Sequence, residues 1–268
     1  MDCSLPSTSV HGISQAIHMY GLMIAIGFVA ALYVAIYRGK KKGLSEDIFY
    51  GIFYCAIIGG ALGSRILYYI VEIPHIINDP SILWNFKVGY VVYGGIIGGI
   101  LASYIYCRVK KVNFLEYFDL VMPEVSLAQG FGRLGCFFAG CCYGRPTDAW
   151  YGITFTHSQM APNGVSLIPT QLISSSADFI FAAILMFYAS KSPKKGQVAS
   201  MYMVLYGIGR FSIEFLRNDY RGSVGRLSTS QFISIAVVAI GLIIYVLAPK
   251  LQSSEPEVED EKEAKQEE

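Results

Sequence analysis

The chain of 268 residues is strongly apolar, because 53% of its residues are hydrophobic, only 15% are charged, and its mean hydropathy is +0.45. Soluble domains carry about 25% charged residues, so this composition argues against a soluble globular enzyme. The formal net charge of +1 supplies no basic surface for nucleic acid. Six cysteines in so long a chain do not form a disulfide framework.

Seven segments are apolar over the length that a bilayer-crossing helix needs, which is about 20 residues. They cover roughly residues 17–37, 48–71, 88–107, 118–140, 168–190, 199–217 and 229–248. No basic residue precedes the first segment, so it is not a secretory signal. The pattern predicts an all-α polytopic membrane protein whose residues 1–250 form a seven-helix transmembrane domain.

The loops predict an orientation. Basic residues cluster after the first, third and fifth segments, so the N-terminus is expected outside and the C-terminus in the cytoplasm. The loop with Arg217, Arg221 and Arg226 is an exception. Residues 144–167 are punctuated by Gly and Pro and contain a β-like run at 150–156, which predicts a small cap on the outer side. Residues 251–268 predict an acidic, disordered cytoplasmic tail.

Ionisable residues inside the predicted spans are Arg65, Arg133, Arg210 and Glu214. Such residues are costly at membrane depth and seldom occur without a partner or a function. Arg210 and Glu214 are four residues apart, so a structural ion pair is one interpretation. Arg65 and Arg133 would then remain unpaired, and we expect no other carboxylate near the centre of a span. The surplus positive charge favours binding of a phospholipid phosphate, which matches the guanidinium group bidentately.

Glycines accompany these arginines. Gly94 and Gly95 lie in the run YGGIIGG, which fits either close helix packing or a lipid site. Gly130, Gly132 and Gly135 surround Arg133 and predict a backbone that a head group can approach closely.

Three cysteines, Cys136, Cys141 and Cys142, fall within seven residues. Their C-x4-C-C spacing is not a zinc pattern, and the sequence predicts no metal site. Small apolar packing groups, a vicinal disulfide and a catalytic thiol favoured by nearby arginines all remain open. No histidine has an obvious position as a buried general base.

The segment QGFGRLGCFFAGCCYGR at 129–145 resembles the prolipoprotein diacylglyceryl transferase family, whose usual pattern is Gly-Arg-x-Gly-Asn-Phe-x-Asn-x-Glu-x-x-Gly. MYGLMIAIGF, YGGIIGG, IPTQL and GIGRFSIEFLRND resemble further family motifs in family order. The resemblance covers residues 18–220. It implies a seven-span fold with the N-terminus outside, in the bacterial plasma membrane.

The resemblance also implies a reaction without a cofactor or metal, in which the diacylglyceryl group of phosphatidylglycerol is transferred to the thiol of a lipobox cysteine. The expected partners are phosphatidylglycerol, the signal-peptide region of a prolipoprotein and membrane lipids, and no nucleic acid. Arg133, Arg210 and Tyr93 are the implied catalytic residues. The implied phosphatidylglycerol-binding residues are Tyr20, Arg65, Gly94, Gly95, Arg133, Gly135, Gly144, Gln171, Glu214 and Arg217.

Several positions depart from the family pattern. Tyr93 replaces the histidine before Gly-Gly, Cys136 and Ala139 replace two asparagines, Cys141 replaces a glutamate, and Ile168 replaces a second histidine. A tyrosine with a pKa near 10 is a poor base at neutral pH. The alternative hypothesis is therefore a paralogue that binds phosphatidylglycerol but has another acceptor, or a lipid-handling protein without catalysis.

Overall fold

A computed structural model of the chain describes residues 11–84, 89–191, 193–218, 223–225 and 227–252. Within these ranges the long helices are α1 (His11–Lys41), α2 (Glu46–Val71), α4 (Val92–Val109), α5 (Phe114–Ala139), α6 (Thr170–Ser190), α7 (Gln197–Glu214) and α8 (Thr229–Gln252). A short helix, α3 (Ile73–Asn78), and a 3-10 turn, Pro80–Trp84, follow α2. Each predicted apolar segment coincides with one long helix.

Five of these helices are long and apolar enough to cross a membrane, over Met19–Lys41, Glu46–Val71, Val92–Val109, Thr170–Ser190 and Thr229–Leu247. The protein is therefore a mostly helical, multi-pass membrane protein. Helices α5 and α7 are helical as predicted but more polar, since α5 carries Glu116, Asp119, Glu124 and Arg133. Their role as the sixth and seventh spans stays a prediction.

The chain divides into two compact units, one formed by residues 1–31 and 118–268 and the other by residues 32–117. In the second unit, α2 and α4 pack backbone against backbone. A Cβ atom on Gly63 would clash with the Gly94 carbonyl oxygen, and one on Gly98 would clash with the Gly59 carbonyl oxygen. The close-packing interpretation of the YGGIIGG run is confirmed.

In the first unit, serine hydroxyl groups form hydrogen bonds between α5 and α6. Ser126 donates to the Asp178 carbonyl oxygen and Ser175 donates to the Gly130 carbonyl oxygen, each at 2.8 Å. The start of α7 is bound by Asp119, whose carboxylate accepts from the Gly196 amide at 2.5 Å and from the Ala199 amide at 2.9 Å. These bonds satisfy N–H groups that a helix N-terminus leaves without an intrahelical acceptor.

The segment after α5 forms a small lobe with its own core. Strand β1 (Ile153–Thr154) lies in the run predicted as β-like and pairs antiparallel with β2 (Ser166–Leu167), which lies outside that run. Phe155, Ala161 and Leu167 form the buried core of this lobe. A second ladder, β3 (Ser223–Val224) with β4 (Leu227–Ser228), precedes α8. Arg221, Arg226 and residues 253–268 of the predicted tail lie outside the described residues.

Candidate active site

Helices α5, α6 and α7 line a cavity of ≈ 230 Å³. Two arginines from different helices, Arg133 and Arg210, line it together with Asp178 and Tyr206. Most of the remaining wall is apolar, with Ile173, Ala177, Phe181, Ile213 and Leu216. The fold thus brings the two arginines of the predicted catalytic set to one open cavity, as an anionic head group would require.

Arg133 is the cavity group best suited to bind a ligand. Its side chain makes no hydrogen bond or ion pair within the described part of the chain, although Asp178, Tyr20 and Cys136 are near enough to interact electrostatically with it. A guanidinium group has five N–H donors in a fixed planar arrangement. A phosphate in the cavity would find these donors available.

Arg210 forms a structural ion pair and also lines the cavity. It donates to Glu214 at 2.5 Å and to the Ser230 hydroxyl at 2.6 Å, so the predicted ion pair is present. The same side chain lines the cavity. Glu214 and Ser230 therefore hold the guanidinium group in place beside the space where a ligand would bind.

The charge of the cavity differs from the expectation. Asp178 lies within α6, is 8% exposed and lines the cavity, so the expectation that no other carboxylate lies near the centre of a span is wrong. With Glu214 paired to Arg210 and Asp178 near Arg133, the two arginines face two carboxylates. Sequence reasoning missed Asp178, although its position in the middle of an apolar segment marks it.

Tyr20 lies against Gly135, because a Cβ atom on Gly135 would be 3.1 Å from the Tyr20 ring. Gly135 thus allows α1 to approach α5 at the turn that carries Arg133 and Cys136. Tyr20 is 39% exposed and interacts electrostatically with Arg133 and with all three clustered cysteines.

The three clustered cysteines converge at the end of α5. The sulfur atoms of Cys136, Cys141 and Cys142 all lie within 4.8 Å of one another. The Cys141 amide donates to the Cys136 carbonyl oxygen at 3.1 Å, which curls the chain back toward the helix. The neighbouring thiols of Cys136 and Cys142, together with burial, raise the pKa of Cys141 above its ordinary value. This shift argues against a reactive Cys141 thiolate in the bare protein.

The start of α6 holds this cysteine turn. Gln171 donates through Nε2 to the Cys141 carbonyl oxygen, and Thr170 donates to the Cys142 carbonyl oxygen, both at 2.7 Å. Gln171 is 1% exposed, and within the described residues its Oε1 atom accepts no hydrogen bond. A buried acceptor without a donor costs about 1–3 kcal/mol, so this atom marks an incomplete polar site.

Gly144 and Arg217 meet just beyond the turn. Their backbones form an antiparallel bridge, and the Gly144 amide donates to the Ile168 carbonyl oxygen at 3.1 Å. A Cβ atom on Gly144 would be 2.5 Å from that oxygen, so only glycine fits. Arg217 is buried beside it.

Arg65, Tyr93, Gly94 and Gly95 belong to the other unit. Arg65 is not unpaired, contrary to the expectation. Its guanidinium group donates to Tyr69 at 2.8 Å and to three backbone carbonyl oxygens, those of Ile82, Leu83 and Gly89. These oxygens belong to the connection between α2 and α4, which folds over the arginine. Tyr93 is 45% exposed near the start of α4.

Comparisons with known proteins agree with the resemblance. The family model described as "Prolipoprotein diacylglyceryl transferase" matches residues 9–247. The phosphatidylglycerol–prolipoprotein diacylglyceryl transferase of Clostridium tetani is 49% identical over 229 residues, covering 85% of this chain and 92% of the relative. The Clostridium perfringens protein named transferase 2 is 47% identical, covering 85% and 90%. The protein named transferase 1 of the same organism is 33% identical, covering 87% and 91%. With the family model spanning nearly all of the described helices, the chain belongs to the prolipoprotein diacylglyceryl transferase family.

Proposed function

We propose that the chain transfers the diacylglyceryl group of phosphatidylglycerol to the thiol of a lipobox cysteine in a prolipoprotein. The observation that carries this proposal is the cavity in which Arg133, without a hydrogen-bond partner among the described residues, faces the ion-paired Arg210. Family membership and the names of relatives up to 49% identical support the same activity.

The reaction is a displacement at carbon. The thiolate sulfur attacks the glyceryl carbon that bears the phosphate ester, an S–C bond forms, and the C–O bond to phosphate breaks. Its electron pair remains on the phosphate oxygen, so glycerol phosphate leaves with an added negative charge, and the thiol proton passes to solvent. Preorganised cations near the departing oxygen stabilise this transition state.

Arg133 of α5 and Arg210 of α7 supply these cations, and both line the cavity. Arg133 contributes uncommitted donors, and Arg210 is held in position by Glu214 and Ser230. The apolar wall from α6 and α7 suits the acyl chains next to the head group. Tyr20, Gly135, Gly144, Gln171 and Arg217 position the lipid and the acceptor around the end of α5, while Gly94 and Gly95 stay proposed lipid-binding residues of the other unit. Arg65, whose guanidinium group donates within the protein, has a structural role in this proposal.

Seven spans would place this chemistry in the bacterial plasma membrane, with the N-terminus outside and the C-terminus in the cytoplasm. Helices α5 and α7 would complete the five apolar helices, with their polar side chains facing the cavity and their neighbours. The lobe at 144–167 would then lie on the outer side, where secreted precursors emerge. Cysteines introduced singly at Gly164 and Lys111, exposed residues of the lobe and of the loop after α4, should be labelled by a membrane-impermeant maleimide from outside and inside, respectively.

One observation supports the alternative hypothesis that the chain is a paralogue with another acceptor. Clostridium perfringens has two proteins with transferase names, and this chain is more similar to the one numbered 2 than to the one numbered 1. A paralogue with a different acceptor would bind phosphatidylglycerol without modifying a lipobox peptide.

A transfer assay tests the proposal. Purified protein in phosphatidylglycerol vesicles receives a lipobox peptide, and mass spectrometry detects a diacylglyceryl mass on its cysteine. Arg133→Gln should abolish the product, whereas Arg108→Gln, an exposed arginine at the end of α4, should leave it unchanged. Absence of product from the unmutated protein, with phosphatidylglycerol bound, would contradict the proposal and favour the paralogue.

A further inference from the structure

The cysteine cluster at the end of α5 has the geometry of a metal site, although the C-x4-C-C spacing did not indicate one. A tetrahedral zinc ion with Zn–S bonds of about 2.3 Å has sulfur atoms about 3.8 Å apart. The sulfur atoms of Cys136, Cys141 and Cys142 lie within 4.8 Å of one another, so side-chain rotations that close the cluster by about 1 Å would complete three ligand positions.

The backbone of the turn that carries these cysteines has a fixed conformation. Cys142 has a φ of 61°, a left-handed conformation that a non-glycine residue adopts at a cost. Thr170 and Gln171 fix the carbonyl oxygens of Cys142 and Cys141, and Gly140, with a φ of 69°, turns the chain directly after the helix. These contacts fix the backbone that carries Cys141 and Cys142.

We propose that Cys136, Cys141 and Cys142 bind a zinc ion whose fourth position takes the sulfur atom of the acceptor cysteine. Three thiolates select a soft or borderline cation, and three protein ligands with one open position are the arrangement of catalytic zinc sites. Each of the three cysteines is partly exposed. The proposal rests on the proposed function, because the fourth ligand is the substrate of that reaction.

Such an ion would solve the problem of the missing base. A free cysteine has a pKa of about 8.5, and Tyr93 is a poor proton acceptor at neutral pH. A thiol bound to zinc loses its proton outright, and that proton passes to solvent. The zinc-bound sulfur then forms the S–C bond, the C–O bond to phosphate breaks, and the neutral thioether, a weaker ligand than the thiolate, leaves the ion.

The positions of the reacting groups agree with this assignment. Arg133 and Cys136 are three residues apart on α5, so their side chains are neighbours on one helix face, with Cβ atoms about 5–6 Å apart. The leaving phosphate at Arg133 and the attacking sulfur at the cluster would then flank the same carbon atom. The zinc ion and its three thiolates carry one net negative charge, which the nearby guanidinium group offsets.

The buried Gln171 contacts the backbone of the cysteine turn. Its Nε2 atom donates to the Cys141 carbonyl oxygen at 2.7 Å, and within the described residues its Oε1 atom accepts no hydrogen bond.

The first experiment measures metal content in the full-length protein. Purified without chelator, the unmutated protein should contain about one zinc ion per chain. Cys136→Ser, Cys141→Ser and Cys142→Ser should each weaken zinc binding by about 100-fold or more, whereas Cys55→Ser, a partly exposed cysteine of α2, should retain it. Absence of zinc in the unmutated protein, or copper or iron in its place, would overturn the proposal even if every serine variant failed to fold.

The second experiment shows the fourth ligand. Protein loaded with Co²⁺ should display thiolate-to-metal charge-transfer absorption that increases when a lipobox peptide is added, and not when the same peptide carries Ser for Cys. An unchanged spectrum would overturn the role of the ion in activating the acceptor. Transfer by protein that contains no metal would refute the zinc site and leave the proposed function intact. Zinc binding without transfer would refute the proposed function, and with it the substrate as fourth ligand.

Discussion

Arg65 in α2 and Arg133 in α5 are both arginines of long helices, but their surroundings are opposite. Arg65 is surrounded by acceptors, donating to Tyr69 and to backbone carbonyl oxygens of the connection between α2 and α4. Arg133 faces a cavity and donates to no group among the described residues. An arginine at membrane depth therefore indicates a ligand only when the protein leaves its donors unused, and the sequence alone cannot distinguish the two cases.

The largest expected effect is the loss of transfer activity when Arg133 is replaced by lysine. Arg133→Lys keeps the charge but loses the planar set of donors, so kcat/KM for transfer should fall about 100-fold, or about 2.7 kcal/mol. The thermal unfolding temperature should change little, because no protein hydrogen bond is lost. Steady-state transfer kinetics and thermal unfolding in detergent measure both quantities, and near-normal activity would show that Arg133 does not bind the leaving phosphate.

Replacement of Arg65 should affect stability and not transfer. Arg65→Met removes charge-assisted hydrogen bonds to the connection between α2 and α4, and the free energy of unfolding should fall by about 2 kcal/mol. Transfer per folded molecule should stay within about threefold of normal, since these donors are already occupied. A large loss of transfer at unchanged stability would instead place Arg65 in phosphatidylglycerol binding.

Two glycines allow a second comparison, because Gly98 packs against a neighbouring helix and Gly132 has open space around it. Gly98→Ala would force a methyl group against the Gly59 carbonyl oxygen and should cost about 1–2 kcal/mol in stability. Gly132→Ala has open space around its Cβ position, so it is the matched control and should be neutral or slightly stabilising. Equal destabilisation in thermal unfolding would contradict the backbone-to-backbone contact between α2 and α4.

The smallest effect concerns the cavity carboxylate. Asp178→Asn keeps the shape of the side chain and removes a negative charge near Arg133, so KM for phosphatidylglycerol should fall about threefold, or about 0.7 kcal/mol, without a change in kcat. Kinetics at several phosphatidylglycerol fractions in vesicles measure both constants. A tenfold drop in kcat would identify Asp178 as the proton acceptor and remove the need for a metal-bound thiolate.

The helical architecture was predictable from the sequence, because apolar runs of bilayer length determine where long helices form. Each predicted segment became one helix, although α5 and α7 are not among the five helices that are long and apolar enough to cross a membrane. Their polarity reflects contacts made inside the protein, such as those of Asp119 and Arg210, which a count of apolar residues cannot anticipate.

The candidate site was predictable only in part. The residues Arg133, Arg210 and Glu214 were recognised because charges in apolar segments are rare. The contacts of Arg65 depend on a connection without regular periodicity, and Asp178 was overlooked. The meeting of Cys136, Cys141 and Cys142 depends on a turn with two positive φ values, held by residues about 30 positions away in the chain. Spacing rules for metal sites do not describe such a turn.

The binding of Asp119 to the start of α7 has a consequence for biosynthesis. The first amide groups of α7 find their acceptor in a carboxylate that lies 77 to 80 residues earlier in the chain. A ribosome makes α5 well before α7, so this acceptor is already present when Gly196 and Ala199 emerge. The hydrogen bonds at the start of α7 therefore need no part of the chain that is made later.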